Sequence, residues 1–197
     1  MRLTIIAATG GVGRHLLEQA VAAGHDVRNP ARRSRRGAVG LGPHSNAGAG
    51  IAAPGTRVII AAMTAAGVRR IVAISVGAVA TMATPGRPNP PKRDPCDGFI
   101  MRHLLTRVAR AAFGNVDADL ALMEDALRDR GLDWTAVRPP RLTGKPLTGK
   151  PLTGSYRTAY GHNPRRGLPI PRADVAASYS PSSTSPRSSG EVIAIAS

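Results

Sequence analysis

The sequence predicts an α/β protein built on a mostly parallel sheet, and three observations carry that prediction. Short apolar runs recur along the chain, "LTIIAA", "RIVAIS" and "EVIAIAS" among them. They lack the alternation of a half-exposed strand, as expected of strands buried on both faces. Helical stripes lie between them, so helix and strand alternate. Aromatic residues make up only 3% of the chain. The core must therefore be built from Ala, Val, Ile, Leu and Met, which suits helices packed on a sheet better than an aromatic-rich sandwich.

The elements follow in order. Residues 3–8 form the first strand, with Thr4 its one polar residue. After a glycine turn, a helix from Gly13 sets Leu16, Leu17, Ala20 and Val21 on one face and Glu18 and Gln19 away from it; Gly24 stops it. In the next stretch only "AVGLG" (38–42) reads as a strand. A helix beginning near Gly55 carries a stripe of Val58, Ile59, Ala62 and Met63 and ends at Gly67. Residues 70–75 make a buried strand. A basic amphipathic helix around "FIMRHLLTRVARAAF" precedes a second helix over 117–131, which turns Leu120, Met123 and Leu127 inward. Asp117 and Asp119 near its start, with Arg128 and Arg130 in its last turn, suit the helix dipole. "DWTAVRPPRL" is a strand ending in a proline pair, and "EVIAIAS" is the last strand.

At 197 residues the chain is long enough for one domain with a real core and short for two, so a single domain spans 1–197. The formal charge of +15 comes from 24 Arg and 3 Lys spread along the chain. Such Arg usage beside abundant Ala, Gly and Pro reflects GC-rich coding and is no nucleic-acid signal. "RNPARRSRRG" has no interleaved aromatics or known motif, so it reads as a solvated charge run and no specific nucleic-acid partner is expected. Cys96 is the only cysteine, which excludes an intramolecular disulfide framework and fits a reducing cytoplasm. No apolar run approaches the roughly 20 residues of a membrane span. His15, His25, His44, His103 and His162 have no metal-ligand spacing, and no metal is expected.

The turn "ATGGVG" (8–13) carries the chemistry. Glycines between a strand and a helix allow a tight turn, close approach of a pyrophosphate to the backbone, and close helix–strand packing, with the helix amides facing the anion. Gly10 and Gly13 fill two of these positions. Asp26 is a candidate ribose-binding acid, but in "GHDV" it reads as a turn residue ahead of the strand.

The segments "IIAATGGVGRHLLEQAVAAGHDV", "GTRVIIAAMTAAGVRRIVAIS" and "GLDWTAVRPPRLTGKPLTGSYRTA" (without its duplicated pentapeptide) resemble the NAD(P)-binding, NmrA-like branch of the atypical short-chain dehydrogenases/reductases, in particular flavin and biliverdin-IXβ reductases. The resemblance implies a Rossmann-like, doubly wound parallel sheet that binds NADP, with NADPH preferred over NADH. It further implies hydride transfer to a small aromatic acceptor such as a flavin, quinone or tetrapyrrole. Thr9, Gly10, Val12, Gly13 and Arg14 would line the pyrophosphate turn. Arg28, helped by Arg32 or Arg33, would hold the 2′-phosphate, and Leu41 and Gly42 would lie beside the cofactor. Ser75 would stand near nicotinamide and acceptor, although a strand-end serine satisfying a neighbouring group is an equal reading. Arg141 takes a position where biliverdin reductases carry histidine. As an arginine it can orient an anionic acceptor but cannot act as a general acid.

The departures from that pattern are specific. Ala7 replaces the first glycine of the turn and Val12 its usual threonine. None of Tyr156, Tyr160 and Tyr179 is followed four positions on by lysine, so the short-chain dehydrogenase acid/base pair is missing. The interval from Val27 to Thr56, which contains the shortened Arg/Gly-rich 28–50 segment, is too brief for the expected second strand, helix, third strand, helix and fourth strand, at about five residues per strand and ten or more per helix. Strands two and three are therefore expected to be absent on the adenosine side, leaving strand one as an edge. "LTGKP" is repeated in tandem. The Ser/Pro-rich 178–189 segment cannot continue a helix, and a local change of reading frame would account for it. Besides the oxidoreductase reading, the sequence admits a non-catalytic NAD(P)-binding sensor or an inactive truncated remnant. It leaves the oligomeric state open.

Overall fold

The computed structural model describes residues 2–6, 11–28, 36–39, 49–92, 106–129, 131–140, 142–143, 155–165, 169–179 and 190–197. It opens with β1 (Arg2–Ile6), α1 (Gly11–Ala22), β2 (Asp26–Arg28) and β3 (Arg36–Val39). Next come α2 (Ala52–Ala65), β4 (Arg70–Ile74), a 3-10 turn (Gly77–Thr81) and the long helix α3 (Thr106–Arg128). β5 (Asp133–Arg138) is followed by β6 (Leu142–Thr143), β7 (Arg157–Tyr160), β8 (Ile170–Pro171), α4 (Arg172–Ala177) and β9 (Glu191–Ala196).

Seven strands form one sheet in the order β2-β1-β3-β4-β5-β9-β7, and β6 and β8 form a separate two-stranded pair. All pairings in the large sheet are parallel except that of β7 with β9. From the β1/β3 boundary the chain winds outward both ways, which is the doubly wound parallel arrangement. Alternate residues of β4 face opposite layers. Ile71 and Ala73 join α2, α3 and Trp134 on one side. Val72 and Ile74 join α1 and α4 on the other, with Leu16, Ile170 and Val175.

The structure corrects several expectations. A second strand is present: β2 pairs with β1 in parallel, Arg2 opposite Asp26 and Thr4 opposite Arg28. With β3 on its other side, β1 is not an edge. The turn at Gly24, whose φ is +70°, returns the chain at once, so three residues suffice to cover β1. Asp26 is the first residue of that strand rather than part of the turn. Among the described residues no strand lies beyond β2, and β3 begins two residues before "AVGLG".

The helices differ as well. In α1, Leu16 and Ala20 are buried, but Leu17 and Val21 are 36% and 60% exposed. In α2 the inward stripe is Ala52, Ala53, Thr56, Ile60 and Met63, while Val58 is 70% exposed. The inward stripe thus mixes small residues with Ile60 and Met63. The two helices expected around 99–131 are one over the described part, α3. Leu120, Met123 and Leu127 point inward as expected. Asp117 and Asp119, however, lie in the second half of a 23-residue helix, not at its start.

At the end of α4, the Tyr179 hydroxyl is buried without a hydrogen-bond partner among the described residues. Burial pushes its phenol above the ordinary tyrosine range. Because the folded-state value is raised, the neutral form favours the fold. That contribution is complete below the unfolded-state value of about 10 and is lost as pH rises above it. Tyr179→Phe is expected to raise stability at neutral pH by about 1 kcal/mol and to flatten the alkaline loss, as read by urea unfolding at two pH values.

Candidate functional site

In doubly wound sheets ligands sit outside the carboxyl ends of the strands where the strand order reverses. Here that place lies between the ends of β1 and β3, at the start of α1. Val12 and Gly13 are buried in the first turn of α1 and Arg14 is exposed. Val12 packs with Ile5 and Leu16 in the core, so what it offers a ligand is its backbone. Arg28 ends β2, its backbone paired with Thr4. Ser75 directly follows β4. Thr9, Gly10, Arg32, Leu41, Gly42 and Arg141 lie outside the described residues.

The first turn of α1 contains no acidic residue. Its initial amides have no intrahelical acceptor, which is the general condition of a helix start. Over Gly11 lies the side chain of Arg172, the first residue of α4. A Cβ at position 11 would fall 2.8 Å from both Cδ and Nε of Arg172. Free amides, a missing Cβ and a guanidinium make a donor set that fits an anionic diphosphate. Gly10 and Gly13 were legible as turn glycines, but Gly11 and Arg172 were not: their proximity joins positions 161 apart in sequence.

A second polar centre lies under the carboxyl ends of β4 and β5. Ser75 Oγ donates to Glu124 Oε1 at 2.7 Å. Arg138 Nε donates to the same oxygen at 2.7 Å and its Nη2 to Oε2 at 2.6 Å. Arg128 Nη2 completes the set on Oε2 at 2.8 Å. Glu124 is fully buried and Arg138 nearly so. All four bonds run toward the carboxylate, so the Ser75 proton is committed and its oxygen retains only acceptor capacity. Arg128 also bonds Asp125 at 3.0 Å and stands 5.6 Å over the Trp134 ring.

The segment above this centre is tied down. The Arg87 guanidinium donates to the carbonyls of Val79, Ala80 and Met82. Its pKa is lowered, first by burial and then by the neighbouring Arg138. Gly86 N–H bonds Asp125 Oδ2 at 2.9 Å, and Gly77 N–H bonds the Pro139 carbonyl at 3.0 Å. Between the 3-10 turn and α3 lies a cavity of about 340 Å³ lined by Ala78, Thr81, Met82, Gly114 and Asp117. No described helix is long and apolar enough to cross a membrane.

A family model described as NAD(P)H-binding matches residues 38–180, which is most of the chain. The protein belongs to the NAD(P)H-binding family. The match begins within β3, so this membership does not depend on the glycine turn. No curated protein matches the chain. Among solved structures, the oxidoreductase ylbE from Lactococcus lactis superposes with a TM-score of 0.68 at 15% identity, covering 100% of this chain and 90% of that one. ChuY from Escherichia coli O157:H7, described as an anaerobilin reductase, gives 0.68 at 18% identity, covering 100% and 97%. A protein from Streptococcus pneumoniae described as an NADH-flavin reductase gives 0.66 at 18% identity, covering 100% and 99%. At these identities the likeness is one of fold, and it places the NAD(P)H-binding chain among Rossmann-like proteins.

Proposed function

We propose that this NAD(P)H-binding protein is an oxidoreductase that uses NADPH in preference to NADH to reduce an aromatic acceptor such as a flavin, quinone or tetrapyrrole. The observation that carries the reading is the family match across the sheet from β3 to α4. The acid-free start of α1 beside Arg172 supports it, as do the activities named for ChuY and the pneumococcal protein.

In this reading the nicotinamide supplies the hydride when bound, and the chain binds and orients the two partners. Thr9, Gly10, Val12, Gly13 and Arg14 would hold the diphosphate. Arg28 and Arg32 would hold the 2′-phosphate, and Leu41 and Gly42 would lie beside the cofactor. Ser75, with its proton held by Glu124, offers a lone pair to an N–H group of the bound partners. Arg141 orients an anionic acceptor.

Calorimetric titration of the folded protein with NADPH and with NADH tests this. Arg28→Ala is expected to weaken NADPH by about one to two powers of ten and to leave NADH unchanged. Absence of any binding by a folded sample overturns the proposal and leaves the inactive remnant. A second reading, a cofactor sensor without turnover, is favoured by the commitment of the Ser75 hydroxyl to Glu124. Cofactor binding without NADPH-dependent reduction of flavins, quinones or tetrapyrroles would select it.

A further inference from the structure

We infer that Arg172 grips the diphosphate bridge of the dinucleotide, and so sets affinity for NADPH and NADH alike rather than the choice between them. This rests on the NAD(P)H-binding reading above and adds to it a residue 159 positions beyond the glycine turn.

The guanidinium stands where a bound anion is favoured. Arg172 is the first residue of α4, and its side chain lies across Gly11, the first residue of α1. It thus stands at the positive end of α1, where an anion is favoured. No acid in the first turn of α1 offsets it. Asp174, in the first turn of α4, is fully buried, but no hydrogen bond or ion pair among the described residues joins it or any other acceptor to the Arg172 guanidinium.

The position is also held. α1 and α4 pack through Val12, Leu16, Val175 and Ala176, and Gln19 Nε2 donates to the Ala173 carbonyl at 2.9 Å. The residue next to Arg172 is thereby fixed to α1. Glycine at 11 leaves the space that Cδ and Nε occupy, since any Cβ there would meet them at 2.8 Å. A fork of guanidinium donors beside the free amides of a helix start matches a diphosphate, which is doubly charged and needs several donors at once. The diphosphate is common to both nucleotides, whereas the 2′-phosphate belongs to NADPH alone.

The test is a set of calorimetric titrations of the whole chain with NADPH and NADH, comparing the native protein with Arg172→Gln, Arg172→Lys and Arg28→Ala. Arg172→Gln keeps the length of the side chain and removes its charge, and unchanged circular dichroism and unfolding midpoint confirm the fold. Arg172→Gln is expected to weaken both nucleotides by the same factor, about tenfold or more, with partial recovery in Arg172→Lys. Arg28→Ala should change only the NADPH value. Equal native and Arg172→Gln affinities overturn the assignment while the cofactor reading stands. A loss confined to NADPH also overturns it, because Arg172 would then serve the 2′-phosphate. A folded native protein that binds neither nucleotide overturns both.

Discussion

Glu124→Ala is expected to lower stability by about 3–5 kcal/mol, the cost of leaving buried charges without their partner. The carboxylate accepts two bonds from Arg138, one from Arg128 and one from Ser75. Its removal strands a guanidinium that is 2% exposed. Against a total of about 5–15 kcal/mol for a typical domain, this is a large share of the stability. Equilibrium urea unfolding measures it. The paired replacement Glu124→Leu with Arg138→Met is expected to cost less than the sum of the two single changes, because it removes the charge together with its main partner. A single Glu124→Ala variant within 1 kcal/mol of the native protein would show that the four bonds contribute little.

Asp119→Ala carries the next largest effect, and it acts on a helix to which Asp119 does not belong. The residue before α2, Ile51, has an apolar side chain and makes no capping hydrogen bond of its own. Instead Asp119 of α3 reaches across. Its Oδ2 accepts the N–H groups of Gly50 at 2.9 Å and Ala52 at 2.8 Å, and its Oδ1 accepts that of Ala53 at 3.0 Å. This carboxylate satisfies donors that a helix start leaves open and sits at the favourable end of the dipole. Replacement by alanine leaves buried amides unsatisfied and is expected to cost about 3 kcal/mol. Asp119→Asn, which keeps one acceptor oxygen, should lose roughly half as much by the same reasoning. Hydrogen exchange distinguishes this from a general loss, since the amides of the first turn of α2 should lose protection before those of α3.

Much of the fold was legible because buried parallel strands leave a plain signature. β4, β5 and β9 are short apolar runs with both faces covered, and glycines 24, 67 and 131, all at positive φ, mark the reversals around α1, α2 and α3. The inward face of α3 at Leu120, Met123 and Leu127 followed from period alone. What was missed depends on partners distant in sequence. Nothing local to "DVR" shows that three residues are enough for a strand when β1 already supplies the template. The stripe of α2 was misphased because Val58 and Ile59 outweigh Ala52, Ala53 and Thr56 in apolarity, whereas burial follows the face that also carries Ile60 and Met63. Gly114 and Asn115 read as a break between two helices, but tertiary packing overrides a weak local propensity.

The candidate site divides in the same way. The glycine turn was legible from local pattern, and Arg28 and Ser75 were candidates through the resemblance alone. The partners that act on them, Arg172 over Gly11 and Glu124 on Ser75, are 161 and 49 residues away. Asp119 was noticed as an acid near a helix start, but the helix it caps is another one.

The last strand of the chain is not the last strand of the sheet. β9 runs between β5 and β7, and among the described residues β7 has no other neighbour. The register of residues 157–160, from Arg157 opposite Ala196 to Tyr160 opposite Ile193, is thus dictated by a segment that comes later in the sequence. Until residues 191–196 lie alongside β5, the 157–160 segment has nothing to pair with and β5 presents an open edge. This flank must close from the centre outward, through a parallel crossover that includes β6, β8 and α4. Pairing between such distant positions is intrinsically slow, so the order of assembly here is the reverse of the order in which the chain is written.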